Sequence, residues 1–471
     1  MCVGCDDQTP PASEARPANA LPLPGERLAN ILAPYDTPEA ADHPFLPPLL
    51  ANILSPSAHI KGDEVHPQFE AADIFRLYGD AYRATHNLTS EQLGVMYAIE
   101  NCRTATYGFH TDVCDTCGHI DSAYNSCRNR HCPKCQGIAK RRWVNARLDE
   151  LLPVAYHHAT FTLPGELSVL SLHNSKLIYD LLFDAASQAL LTFGYDEKWL
   201  SAQIGFYGIL HTWSQTLWPH VHLHFIVTAG GLTDDGQWAE PSYKGQFLFP
   251  VKALMQVFRG KFIQGLKKAY YAGDLLLTAD MRIDNPTAFE MWVDHLVARN
   301  WNVHSKAPFA GPEEVVRYIG RYTHRAAIGN HRILGVEDGL IRFSYKDNKE
   351  QDPSSRYKEM TLPVDQFITR FLWHVLPKGY HRIRHYGFLN NGQKHGNLSK
   401  IREILADRIE AAECEKADEA ASVVHMLGMP CPKCDNGYMR PFLVTDGYGR
   451  ILKCDIAVFL SHTETKFDDS S

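Results

Sequence analysis

Three histidines alternate along His220-Val221-His222-Leu223-His224 and run into the apolar segment Phe225-Ile226-Val227. Successive side chains of a β-strand point to opposite faces, so the three imidazoles share one side while Val221 and Leu223 face a core. Imidazole is the commonest protein ligand for a divalent metal. His211 lies near the end of the preceding predicted strand, 203–213, and antiparallel pairing with 220–228 brings it alongside. Such a set can hold a Mg²⁺ or Mn²⁺ ion and keep one position open for a phosphate oxygen, which the ion polarises. About ninety residues later, Tyr318-Ile319-Gly320-Arg321-Tyr322 places two phenols four apart, on one face of a helix. A phenol of ordinary pKa, near 10, is a weak nucleophile. A nearby metal and the cations Arg317, Arg321, His324 and Arg325 favour the phenolate and can stabilise charge that builds up on a phosphate. Together these elements point to cleavage of single-stranded DNA by a tyrosine. The competing reading packs both tyrosines into the core of an amphipathic helix; the histidine strand in the same chain weighs against it.

A second chemistry lies in the cysteines. Cys114-x2-Cys117 and Cys132-x2-Cys135 form two knuckles, and four thiolates so placed make a closed tetrahedral zinc site of structural type. A redox CxxC is the alternative, disfavoured by the pairing of two motifs beside a basic run. Cys102, His110, Cys127 and His131 interleave with this set, so a two-zinc cross-brace remains open, with 102/110 joined to 127/131 and 114/117 joined to 132/135. Cys102 and Cys127 as small buried hydrophobes is the plainer reading. Cys431-x2-Cys434 opens a further knuckle, with Cys454 and either Cys414 or His462 as candidate partners, whereas Cys2-x2-Cys5 reads as incidental.

The elements that must carry these residues follow from periodicity. The chain has 471 residues and a formal charge of −7, unevenly placed. Residues 1–73 hold eleven Asp/Glu against three Lys/Arg, a net −8 that leaves the remainder close to +1. Eleven of the 27 prolines fall in the first 56 residues, so 1–64 read as an acidic, Pro-rich extension without a packed core. Residues 65–150 read as a helical lead-in, the cysteine module and a basic helix over about 136–151. Residues 151–400 alternate strands and helices. The strands fall at 158–163, 203–213 and 220–228, and the helices at 166–193, 251–270, 286–300, 312–328 and 364–376. Residues 332–363 read as hairpin material, and 401–471 as a charged helix followed by the last CxxC module. The expected class is α+β, an antiparallel sheet flanked by helices. No apolar run reaches the roughly 18 residues of a membrane span, and no signal-peptide pattern opens the chain, so a cytoplasmic, nucleoid-associated protein is expected.

Local charge decides contact with phosphate. Residues 128–147 carry seven Lys/Arg and no acid, and 378–402 carry six and no acid. Arg128, Arg130, Lys134, Lys140, Arg141 and Arg142 are candidate phosphate contacts, with a merely solvated helix face as the alternative. Tyr380, His381, Arg382, Arg384, His385, Tyr386 and Phe388 interleave rings with cations like a single-strand binding track. The alternative there is a turn region packed on the catalytic sheet.

At this point the residues resemble a family. The blocks ADIFRLYGDAYRATH, CRTATYGFHTDVCDTCGHIDSAYNSCRNRHCPKCQ, HATFTLPGEL, GILHTWSQTLWPHVHLHFIVTAGGL, YIGRYTHRAAI and LPVDQFITRFLWHVLPKGYHRIRHYGFLNN are similar to those of rolling-circle insertion-sequence transposases. These have a His-hydrophobic-His (HUH) endonuclease core, two tyrosines and an N-terminal zinc-binding domain. They are relatives of plasmid replication initiators and conjugative relaxases. The resemblance covers roughly 66–440. It implies that Tyr318 or Tyr322 attacks DNA, stays on the 5′ end and frees a 3′ hydroxyl, with the other tyrosine serving a second cleavage. It also implies zinc on Cys114, Cys117, Cys132 and Cys135. The family's His-Pro-His-hydrophobic-His string departs from Trp218-Pro219-His220-Val221-His222-Leu223-His224. Alignment on the proline pairs His220 with His222, whereas alignment on His211 and Gly230-Gly231-Leu232 pairs His222 with His224 and is preferred. The implied partners are single-stranded DNA at element ends and target DNA, with the oligomeric state open. A replication initiator or relaxase, and a catalytically silent zinc-dependent DNA-binding protein, are the alternatives.

Overall fold

The computed structural model describes residues 67–241, 248–306, 325–406 and 429–455, with Gly320 and Thr323 and without Asp435. The expected N-terminal extension lies outside the described residues, as do most of the tyrosine helix and the C-terminal part of the charged helix.

Helices α1 (Ala71–Thr85) and α2 (Ser90–Glu100) come first. Each starts on a reciprocal cap, Glu70 with Asp73 and Thr89 with Gln92, which satisfies backbone N–H groups that a helix start leaves unpaired. Strands β1 (Phe109–Cys114) and β2 (Ile120–Tyr124) and helix α3 (Gln136–Leu148) follow. Then come β3 (Tyr156–Thr162), α4 (Gly165–Leu170), α5 (Ser175–Tyr195), β4 (Gln203–Trp213), β5 (Pro219–Leu232) and β6 (Trp238–Ala239). The helix predicted over 166–193 is two helices. The Asn174 side-chain amide donates to the Leu170 carbonyl at 3.2 Å, the acceptor a continuous helix would give to the backbone N–H of residue 174. Next are α6 (Val251–Ala272), α7 (Pro286–Ala298), β7 (Asn302–Lys306), β8 (Ile333–Glu337), β9 (Leu340–Lys346) and β10 (Tyr357–Pro363). The last are α8 (Val364–Leu372), β11 (Ile383–Gly387), α9 (Lys394–Ile404), β12 (Met429–Pro430), β13 (Tyr438–Thr445) and β14 (Ile451–Cys454).

These elements divide into two units, one holding 108–124 with the segment from 428 onward, the other holding 62–107 and 125–427. In the smaller unit β1 pairs with both β2 and β13, and β13 also carries β12 and β14. Its core is Val113, Phe442 and Leu443. The C-terminal CxxC segment, expected as a module of its own, is thus one sheet with the hairpin from the cysteine-rich region. A single sequence gave no signal for a pairing across more than three hundred residues.

The larger unit is built on an antiparallel sheet of order β11-β4-β5-β3-β7, with β6 on β5. Alternation gives it two different faces. Val221, Leu223, Phe225 and Val227 of β5 join Phe161, Phe206, Leu210 and the apolar faces of α5 and α6 in the largest core. The rings of Phe161 and Phe225 meet edge to face at 5.5 Å, as do Phe161 and Phe258 at 5.1 Å. On the opposite face Tyr156, Tyr207, Ile209 and Ile226 pack beneath Leu398 and Ile401 of α9. That cover ends before His224, and the histidines occupy the remainder of this face. A second sheet, β8-β9-β10, packs with α1, α2 and α8 around Phe75, Phe343, Phe367 and Phe371.

Candidate metal centre

β4 and β5 pair so that His211 stands directly opposite His222, and Ile209 opposite His224. The ligand atoms of His211, His222 and His224 lie within 4.8 Å of one another. His220 is outside this group. It is exposed, and its ring centroid lies 4.9 Å from that of His222. His211 and His224 are buried, whereas His222 is partly exposed and gives the cluster its access.

Hydrogen bonds orient two of the rings. His222 Nδ1 is 2.9 Å from the His220 carbonyl. A carbonyl only accepts, so Nδ1 carries the proton and Nε2 presents its lone pair. His222 Nε2 and His224 Nε2 are 3.1 Å apart. Two imidazole nitrogens about 2.1 Å from one ion would lie roughly 3.0–3.4 Å apart. His224 Nδ1 is 2.9 Å from His158 Nε2, and Thr160 Oγ1 lies 3.3 Å from the same His158 nitrogen. Burial, reinforced by His211, holds the pKa of both His222 and His224 well below the usual histidine value. The rings are therefore neutral at physiological pH, the state a metal requires. Among the described residues the group contains no carboxylate.

The sequence reading did not single out His158, Thr160, Trp213 or His374. Trp213 stacks on His211 at 5.2 Å, and the buried His374 meets Trp213 edge-on at 5.9 Å. His374 Nδ1 lies 3.1 Å from Thr212 Oγ1, and its Nε2 lies 3.0 Å from the Leu217 carbonyl. The signal for His158 and Thr160 was their own alternation on β3, which sets Thr160 opposite His224.

Tyr318, Arg321 and Tyr322 lie outside the described residues. Gly320, between them, is described. A Cβ built on it would fall 2.3 Å from Val144 Cγ2 of α3, so a larger residue there requires the Val144 side chain to give way.

The cysteines form two groups of four, divided differently from the expected site. Cys102, Cys127, Cys132 and Cys135 converge in the larger unit, and Cys114, Cys117, Cys431 and Cys434 in the smaller. Cys114 and Cys117 thus do not share a site with Cys132 and Cys135, because the β1–β2 hairpin carries its own knuckle into the sheet with β13. The cross-brace with His110 and His131 is excluded by the same grouping. His131 instead accepts the Leu376 N–H at 3.5 Å, and burial pushes its pKa down to about 3. Cys454 lies exposed on β14 and joins neither group. In the first group Cys135 Sγ is 3.4 Å from Cys102 Sγ and 3.5 Å from Cys127 Sγ. Sulfurs bound to one zinc at about 2.3 Å would lie about 3.8 Å apart. The thiol of Cys102 is drawn down to about 7, first by Cys127 and then by Cys132.

Four of the expected phosphate contacts are held inside the larger unit. Arg130 donates to the carbonyls of Tyr380 at 2.5 Å and Pro377 at 3.0 Å. Lys134 pairs with Glu70. Arg382 donates to Gln136 at 3.2 Å, and burial lowers its pKa to about 10. Arg384 pairs with Asp180 at 2.5 Å and lies over the Phe183 ring at 4.2 Å. Tyr380 and Phe388 are buried, and Tyr386 stacks on Phe206 at 5.1 Å, so the expected track packs onto the sheet, its middle forming the edge strand β11. Arg128 and Arg142 are exposed. The Arg141 side chain lies outside the described residues.

A histidine cluster on an antiparallel sheet, with two four-cysteine clusters in the same chain, is the donor chemistry of a metal-binding protein with more than one candidate site. Residues 74–163 match the family described as "Transposase zinc-binding domain", and residues 205–396 match that described as "Putative transposase". The chain is 44% identical over 386 residues to "Putative transposase y4qJ" of Sinorhizobium fredii, covering 80% of this chain and 96% of that one. It is 29% identical over 312 residues to the transposase for insertion sequence element IS801 of Pseudomonas savastanoi pv. phaseolicola, covering 64% of this chain and 72% of that one. A solved structure of the conjugative relaxase TrwC in complex with oriT DNA is 15% identical and covers 35% of this chain and 68% of that one, with a TM-score of 0.20. The sequence relatives are the firmer ground. The chain belongs to the rolling-circle insertion-sequence transposase family with an N-terminal zinc-binding domain.

Proposed function

We propose that this transposase nicks single-stranded DNA at the end of a mobile element and transfers the strand through a tyrosine. The convergence of His211, His222 and His224 on one face of the interior strands β4 and β5, with His222 partly exposed, carries this reading. A divalent ion bound there would polarise the scissile phosphate as a Lewis acid. His158 and the His220 carbonyl hold the ligand rings in register. The phenolate of Tyr318 or Tyr322 attacks phosphorus in line, and Arg321 offsets the developing charge. The new bond joins the tyrosine to the 5′ phosphate, the bond to the 3′ oxygen breaks, and that oxygen takes a proton. The phosphotyrosine conserves the bond energy, so the rejoining step, attack by a 3′ hydroxyl, needs no nucleotide cofactor. Of Mg²⁺ and Mn²⁺, an all-imidazole donor set favours the transition ion. The names of the curated relatives favour transposition over plasmid transfer.

The test uses oligonucleotides tiled across the DNA flanking the coding region. A covalent protein–DNA adduct is expected with the wild type, suppressed by EDTA and restored by Mn²⁺. Tyr318→Phe combined with Tyr322→Phe should abolish the adduct; its persistence would reject the nucleophile assignment.

A further inference from the structure

Cys431 and Cys434 lie outside both matched families, yet they stand beside Cys114 and Cys117. Each pair sits in a tight turn at a strand end, Cys114 closing β1 and Cys431 following β12. Across the pairs, Cys114 Sγ is 3.6 Å from Cys434 Sγ, and Cys117 Sγ is 3.7 Å from Cys431 Sγ. These separations are far too long for disulfides and near the edge of about 3.8 Å in a zinc tetrathiolate. Backbone N–H groups point at the sulfurs in both turns. Thr116 and Cys117 donate to Cys114 Sγ at 3.4 Å each, and Lys433 donates to Cys431 Sγ at 3.3 Å. Such donors favour the ionised thiolate.

The fourth wall of this cluster is Gly437, whose backbone carbonyl accepts the Cys431 N–H at 2.8 Å. A Cβ at 437 would lie 2.3 Å from Cys114 Sγ and 2.8 Å from Cys434 Sγ. No other residue type fits there while the four sulfurs stay gathered. The hydrophobic surroundings, Val113, Phe442 and Leu443 with Met439, are slight for a free-standing sheet.

We infer that Cys114, Cys117, Cys431 and Cys434 form a second zinc site, which clasps the β1–β2 hairpin to the C-terminal strands and is separate from the site of the larger unit. Binding one Zn²⁺ displaces the thiol protons to solvent and leaves four thiolates around the ion, with no open position for substrate. The site is structural, and the smaller unit depends on it for its fold. This inference stands apart from the DNA chemistry, since neither tyrosine nor the histidine cluster enters it.

The test counts metal in the full-length chain by elemental analysis and native mass spectrometry, after a mild chelator has stripped ions held by imidazole. Two zincs per chain are expected. Cys431→Ser with Cys434→Ser should retain one, and so should Cys114→Ser with Cys117→Ser. Cobalt titration of the apoprotein should give the tetrathiolate absorption to two equivalents in the wild type and to one in either double variant. Gly437→Ala changes no ligand yet should lose one zinc to a competing chelator at least tenfold faster. One thiolate-bound zinc in the wild type, iron in place of zinc, or a Gly437→Ala chain as retentive as the wild type would each overturn the inference.

Discussion

His158 Nε2 lies 2.9 Å from His224 Nδ1, so a histidine on β3 fixes the ring of a candidate metal ligand on β5. With a metal on His224 Nε2, its Nδ1 would carry the proton and donate to His158. Loss of such an outer partner typically costs 10–100-fold in metal affinity. His158→Ala should therefore weaken Mn²⁺ binding by about that factor in a calorimetric titration, with zinc content unchanged. His158→Gln, which keeps an acceptor, should recover part of the loss. Wild-type affinity in His158→Ala would remove the orienting role.

His374 gives a pH signature away from the ligands themselves. Burial pushes its pKa down to about 4. The ordinary histidine pKa is about 6.5, so between these values the unfolded chain binds a proton that the folded chain refuses. Stability is then full above pH 6.5 and falls as pH drops toward 4, by about 1.4 kcal/mol per pH unit for this group. Urea melts at pH 7.5, 6 and 5 should show a slope shallower by about that amount in His374→Gln. An identical slope would refute the assignment.

The division of the basic residues separates binding from stability. Arg128→Ala and Arg142→Ala should each reduce the salt dependence of single-strand binding by about one phosphate equivalent. Arg384→Ala removes one partner of Asp180, which keeps Lys176 at 2.8 Å and the Tyr380 hydroxyl at 3.1 Å, and uncovers the Phe183 ring, so it should lower stability with little change in that slope. Denaturation and salt titrations on the same samples distinguish the two patterns. A salt effect from Arg384→Ala equal to that of Arg142→Ala would contradict the intramolecular assignment.

Gly320, which falls between the two tyrosines in sequence, stands against Val144 of α3. Gly320→Ala puts a methyl against Val144, 2.3 Å from its Cγ2, and the Val144 side chain or the backbone at one of the two positions must give way. Positional errors of this size can cost about 10²-fold in rate. Adduct formation should fall by that order in Gly320→Ala and recover in part when Val144→Ala makes room. Absence of rescue would place the defect elsewhere.

Much of the fold could be read because alternation and helical periodicity are local. The strand 203–213 matches β4, and the apolar partners Val221 and Leu223 are fully buried. The grouping of His211 with His222 and His224 follows from the same two-residue period once the strands pair. What could not be read depends on distance. Nothing near Cys114 announces Cys434, because a thiol carries no record of its partner, and regular CxxC spacing suggested the nearer pair instead. Composition likewise overstated the basic track at 378–402. A cation and a ring look alike in sequence whether they face a nucleotide or, as Arg384 and Tyr386 do, a neighbouring strand and helix.

The contact between Cys114 and Cys434 spans 320 residues. At a synthesis rate of about 5–20 residues per second, the second cysteine leaves the ribosome roughly 15–65 s after the first. Throughout that interval the β1 edge that later receives β13 has no partner strand, and two thiols lie open to oxidation or to a foreign ion. The smaller unit is therefore among the last parts of the nascent chain able to mature, and a translation product that stops before residue 431 can never close it.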